Sequence, residues 1–222
     1  MDRRPGPGGG GEGTGWPDDA DEYNDAMATA TKHTLPGATY EDLRRLPENM
    51  VGQIINGVLY ANARPASGLA RGTSGLGSDL GAPFDRGKGG PGGWWILDEP
   101  EIHLGNDVLV PDLAGWRRER MPVMRDVPYF TQAPDWVCEV LSPSTAGLDR
   151  IKKSRVHAKQ GVRHMWVIDP RARTLEVYRL HDGLWTQVST HEADEKVRAE
   201  PFEAVELDLA NLWVTEEASA DR

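Results

Sequence analysis

The stretch Ala133-Pro-Asp-Trp-Val-Cys-Glu-Val-Leu-Ser142 decides how this chain folds. Its centre, Val137 to Leu141, is an apolar run interrupted by one acid, which is how a strand buried on both faces reads. The acid, Glu139, is costly to bury unless it is paired, hydrogen-bonded or bound to a cation. Exposure on an open sheet face is the alternative, but alternation places Val137 and Leu141 on the same face as Glu139.

Downstream, Asp149 to Val162 reads as a helix with an apolar stripe of Ile151, Ala158 and Val162, and Gly161 lies near its end. Three more strands follow, HMWVIDP, TLEVYRL and LWTQVST, separated by turn chemistry at Asp169-Pro170 and Asp182-Gly183. Upstream lie the strand-like segments WWILDEPEIHL and DVLVPDLAGW. Strand, helix, strand in this order predicts a mixed α/β sheet with a helical crossover after the Glu139 strand. Nearer the N-terminus, Asn56-Gly57 marks a hairpin within Gln53–Tyr60. Thr39-Tyr-Glu-Asp42 is a capping box that opens a short helix closed by Pro47. Residues 66–93 are ambiguous. Leu69, Thr73, Leu76 and Leu80 have helical spacing, yet ten of these 28 residues are glycine.

The 222 residues include 25 Gly and 16 Pro, and 38% of them are hydrophobic, which leaves part of the chain without a core to join. Residues 1–35 read as a disordered Gly/Pro-rich acidic tail, 36–214 as one domain, and 215–222 as a C-terminal tail. No apolar run reaches the ~18 residues of a membrane span, and MDRRPGPGGG lacks the apolar centre of a signal peptide. The expectation is a soluble, cytoplasmic protein with no membrane partner. Cys138, the single cysteine, excludes disulfide scaffolds and cysteine-rich zinc sites, and its apolar neighbours make it a core residue. The net charge of −10 argues against non-specific attraction to nucleic acid. That charge lies at the two ends; residues 31–191 are slightly basic. Two basic clusters stand there, one at Arg117, Arg118, Arg120 and Arg125, the other running from Arg150 to Arg163, and both also fit solvated faces.

Two Pro-Asp pairs precede Glu139. Asp135 is four residues away on the same strand, so their attachment points lie about 13 Å apart, too far to share one ion. Asp112 ends a separate apolar segment, Val108-Leu-Val110, and a neighbouring strand brings it within about 5 Å across the ladder. Two such carboxylates form a hard-oxygen site suited to Mg²⁺ or Mn²⁺, although paired acids on a sheet also serve structure or bind arginine. Lys153, one turn into the following helix, can place an ammonium beside them; it also fits a surface lysine paired with Asp149.

The ordered set VPDLAGW, APDWVCEVLSPST, LDRIKKSRVHAKQGV, HMWVIDP and TLEVYRL resembles the Uma-type restriction endonuclease family, of the PD-(D/E)XK nuclease superfamily, from about Thr39 to Trp213. The resemblance implies a restriction-endonuclease-like α/β core, a mixed β-sheet flanked by helices, and divalent-metal-dependent cleavage of DNA phosphodiester bonds, with a homodimer possible. By position, Asp112 and Glu139 match the two motif acids, which would hold Mg²⁺ or Mn²⁺ with the carbonyl of Val140. Leu141 stands where the superfamily has lysine, and Lys153 matches the lysine moved to the helix. Ser142 matches the serine of the EVLSPS segment, as a turn or cap residue. Two positions depart. Gln53 replaces an acid of the family's Glu-x-x-Asp-Gly hairpin, and Leu69 replaces a histidine. A catalytically decayed nuclease-fold protein that binds nucleic acid or a protein partner is therefore the alternative.

Other constellations are weaker. His103 could ligate a metal with Glu99 or Glu101 but also fits a polar surface group. Ser142 and Ser144 lack a nucleophile elbow. Gly87–Gly93 lacks a P-loop ending. Trp95, Trp136 and Trp166 could stack on bases but lie in strands and read as core.

Overall fold

The computed structural model describes residues 32–63, 67–142 and 146–213. The capping box forms as read: the Thr39 hydroxyl accepts from the Asp42 N–H and Asp42 reaches back to the Thr39 backbone, opening helix α1, Tyr40–Arg44. The hairpin also forms, joining β2 (Met50–Ile55) to β3 (Val58–Ala63). Asn56 and Gly57 take φ of 51° and 74°, the left-handed pair that a two-residue turn needs. Lys32–Pro36, assigned mostly to the tail by its lack of apolar periodicity, is instead strand β1, paired antiparallel with β3. An edge strand needs only its backbone ladder, so no apolar pattern announced it. Residues 1–31 and 214–222 lie outside the described residues.

The chain builds two main sheets. In the first, the order is β1-β3-β2-β6-β5, with β5 Ile102–Leu104 and β6 Asp107–Leu109. In the second, the order is β11-β10-β9-β8-β7-β4. Its members are β4 (Trp94–Asp98), β7 (Leu113–Arg117), β8 (Trp136–Val140), β9 (His164–Asp169), β10 (Thr174–His181) and β11 (Leu184–Glu192). The segment read as one strand, DVLVPDLAGW, is therefore two strands in two sheets. Pro111 has no N–H to give a ladder, and the chain changes sheets across Val110-Pro111-Asp112.

The glycine-rich 67–80 segment is a helix, α2 (Ser67–Leu80), continued by a π-helical turn, Gly81–Asp85. Its glycines permit close packing. A Cβ on Gly72 or Gly75 would stand 3.1 Å from the Leu212 carbonyl oxygen or 3.3 Å from that of Asn211. One on Gly77 would come within 2.9 Å of Asp98 Oδ1. Contact with neighbouring backbone offsets the low intrinsic helicity.

Strands β8 and β9 pair in parallel, Glu139 opposite Val167, so the segment between them is a crossover. That crossover starts with a π-helical turn, Leu148–Lys153, and continues as α3, Ser154–Lys159. Side chains of β8 alternate between two cores. Trp136, Cys138 and Val140 join Leu113, Trp166, Ile168 and Phe202 on the face towards α2. There Phe202 contacts the rings of Phe84, Trp94, Trp136 and Trp166 at centroid distances of 4.7–5.6 Å. Val137 and Leu141 join Ile55, Tyr60, Leu109, Val156 and Val167 on the other face. Glu139 shares this second face, towards the crossover and the first sheet.

Candidate active site

Glu139 is fully buried, so an open sheet face is excluded. Its partners come from the crossover. In an i→i+5 turn, Leu148 and Lys153 stack on one side, and both are buried. One α-helical turn later, at i+4, His157 follows on the same side, with no exposed surface. Lys153 Nζ donates to Glu139 Oε2, and also to the Val110 carbonyl at 3.1 Å. His157 Nε2 stands 3.4 Å from Glu139 Oε1. A surface position for Lys153 is thus overturned, because Lys153 is 2% exposed; the Asp149 side chain lies outside the described residues. The expected apolar stripe is corrected at Ile151, which is 52% exposed; Val162 is buried as read, and the inward face also carries Leu148, Lys153, Val156 and His157.

Asp112 stands just ahead of β7, not at the end of the Val108–Val110 segment. Leu113 pairs with Cys138, so one further step of the antiparallel ladder sets Asp112 abreast of Glu139, on the same face. Asp112 Oδ2 accepts the Val140 N–H at 2.6 Å. In a strand the N–H and C=O of one residue face the same neighbour, so the Val140 carbonyl also faces this side, where the next ladder partner would be Pro111. Gln53, also buried, accepts the Val110 N–H on Oε1 at 3.0 Å and so braces the bend that carries Asp112. As an amide, Gln53 thus has a structural task. The Leu69 side chain lies outside the described residues.

Burial, then the charges of Asp112 and Glu139, push the Cys138 thiol well above its ordinary value, which fits a core residue beside two acids. Lys152, next to Lys153, turns to the other side and sets its ammonium on the Tyr60 hydroxyl, 4.2 Å from the ring centroid. Tyr60 is the ladder partner of Gln53, so the two lysines flank the bend. Sequence reasoning missed His157, Lys152 and Tyr60. The i+4 spacing from Lys153 to His157 was the one signal available for the first.

The other constellations resolve into structure. Asp135 is fully buried at the far end of β8, where it accepts the Arg117 N–H at 2.9 Å and pairs with Arg120 at 2.7 Å. Arg118 pairs with Asp85 and lies over the Trp95 ring, and Arg150 pairs with Glu176. Apart from buried Lys153, both clusters lie largely at the surface: Arg120, Arg125, Arg150, Lys152, Arg155, Lys159 and Arg163 are exposed, as solvated faces are. His103 Nε2 is engaged by Glu101 at 2.7 Å, and its ring stacks on Tyr129. Glu101 also accepts the Tyr40 hydroxyl; that bond and burial push the phenol up to about 12. Trp136 and Trp166 are core, and Trp95 is half-buried.

Among the described residues no three His, Cys, Asp or Glu side chains converge as a ready-made metal cage. The donor set at hand is two carboxylates abreast and a strand carbonyl. It fits a cation such as Mg²⁺, which takes one or two carboxylates and keeps several waters.

The sequence matches Uma2, described as "Putative restriction endonuclease", over residues 39–210. The chain belongs to the Uma2 family. The fold agrees: the Uma2 chain is similar to a crystal structure of a nuclease of the DUF820 family, itself described as putative, from Anabaena variabilis. The TM-score is 0.64 at 23% identity, covering 79% of this chain and 97% of the other. No curated protein matches this Uma2 sequence at a significant level. The architecture is thus a restriction-endonuclease-like α/β fold, its mixed sheets flanked by few helices.

Proposed function

We propose that this Uma2 member is a divalent-metal-dependent endonuclease that hydrolyses DNA phosphodiester bonds. The observation that carries the reading is Asp112 set abreast of Glu139, with the Lys153 ammonium buried against Glu139. Asp112, Glu139 and the Val140 carbonyl would hold Mg²⁺ or Mn²⁺. Such a cation supplies Lewis acidity to a phosphoryl oxygen and makes water a stronger nucleophile at neutral pH. Lys153 contributes a fixed positive charge, held by Glu139 and the Val110 carbonyl, that favours a phosphate becoming more negative. Gln53 keeps the bend, and so Asp112, in place through the Val110 N–H.

The second reading, a decayed nuclease that retains binding alone, is favoured by Gln53 standing as a buried amide in the place of an acid. Supercoiled plasmid separates the two. Wild type, Gln53→Glu and, as the blank for contaminating nuclease, Glu139→Gln are incubated with Mg²⁺ or Mn²⁺. Glutamate can accept the same Val110 N–H, so Gln53→Glu adds a carboxylate without removing the brace. Nicking by wild type but not by the blank is expected. Nicking only by Gln53→Glu supports the decayed reading. No cleavage and no metal binding by any variant refutes the endonuclease.

A further inference from the structure

We infer that His157 is a positioning residue for Glu139: it engages Oε1 while Lys153 engages Oε2, and so helps to fix the plane in which Glu139 meets a cation. The inference rests on the metal-site reading above. A carboxylate anchored at one oxygen still swings about its terminal torsion, which is broad in acids. Here the two oxygens have different anchors, Lys153 on Oε2 and His157 Nε2 on Oε1 at 3.4 Å. An ionised carboxylate only accepts hydrogen bonds, so the facing Nε2 carries the proton and acts as donor. Both anchors stand on one crossover, four residues apart, and neither has appreciable exposed surface through which its side chain could turn away.

The crossover itself is tied down independently of Glu139. The Val162 N–H donates to the His157 carbonyl at 3.0 Å, and Trp185 Nε1 donates to the Ser154 carbonyl at 2.8 Å. Val156, beside His157, is buried in the core shared with β9. A fixed helix therefore offers a fixed donor, and the geometry at Glu139 is set before any cation arrives. Partners that orient metal-binding groups in this way typically change metal affinity by about 10–100-fold when removed. A histidine that merely filled space would not.

The test uses the full chain and Mn²⁺ alone, read by calorimetric titration and by the Mn²⁺-dependent rise in melting temperature. His157→Phe keeps a planar ring and removes the donor; His157→Gln restores an N–H at similar reach. The expected result is a Mn²⁺ dissociation constant raised roughly 10–100-fold in His157→Phe and returned towards wild type in His157→Gln. Should His157→Phe fail to fold, His157→Asn takes its place, because its amide is too short to reach Oε1. Wild-type affinity in the donor-less variant overturns the inference, as does an equal loss in His157→Gln. Absence of Mn²⁺ binding by wild type is a different failure: it removes the metal reading itself, and the positioning role with it.

Discussion

Replacing Lys153 by methionine tests the core of the site without any assumption about catalysis. Methionine keeps most of the length of the side chain and removes the ammonium. Glu139 then stays fully buried, its main cationic partner gone. Breaking one side of a buried ion pair costs about 3–5 kcal/mol, because the remaining charge is left uncompensated in a low-dielectric interior. For a domain of this size each kcal/mol moves the melting temperature by roughly 2–4 °C, so a fall of about 6–20 °C is expected. Lys152→Met is the internal control. Lys152 itself is exposed, and its part-buried contact with the Tyr60 ring, a cation–π pair with one solvated partner, contributes about 1 kcal/mol. Urea unfolding of both variants, with Glu139→Gln and the Lys153→Met/Glu139→Gln double mutant, closes a cycle. The double mutant, which buries no unpaired charge, should be more stable than Lys153→Met. Equal, small losses for the two lysine variants, or no coupling between Lys153 and Glu139, would refute the buried pair.

Asp112→Asn should leave the unliganded protein folded, since an amide oxygen can still accept the Val140 N–H, but should abolish stabilisation by Mn²⁺ in thermal melts; an unchanged metal response removes Asp112 from the site. Acid should destabilise the fold in two stages. Burial, outweighing the bond to Glu200, holds His164 below its ordinary 6.5, so the unfolded chain takes up a proton first and stability falls as pH drops below that value. The Arg179 bond, and the further bond from His164, hold Glu200 below 4.5, so its contribution is present above that value and is lost as pH falls through the lowered one. His164→Gln should flatten the upper stage in pH-dependent melts; an unaltered profile would show that another group sets it.

Local chemistry made some of the fold legible and concealed the rest. Thr39 with Asp42 and Asn56 with Gly57 act within four residues, so the helix cap and the hairpin follow from sequence directly. The crossover was found, but its inward face was misassigned: Lys153 and His157 read as polar, and Ile151 drew the stripe to the solvent side. A face that buries an acid must be lined by what pairs with it, and apolar periodicity does not register such a face. In α2 the glycines looked like helix breakers until the Leu212 and Asn211 carbonyls showed what they accommodate. Asp112, Glu139 and Lys153 were named from spacing and resemblance. The bend at Pro111 and the brace from Gln53 depend on which sheet each half of a strand joins, a long-range choice with no local signature.

The ladder between β7 and β8 has its two ends doing different work. Three aligned pairs, from Leu113–Cys138 to Gly115–Trp136, separate the acids from the long connection that begins beyond Arg117 and returns at Asp135. Asp135 locks the returning end to the backbone of Arg117, so variation in the connection is not transmitted along the strands. The largely exposed stretch 122–128 can therefore diverge in length and composition between relatives, or be exchanged by design, while the spacing of Asp112 and Glu139 is inherited unchanged. The bend at 110–112 has no such freedom: one residue inserted there would turn Asp112 to the opposite face of the sheet.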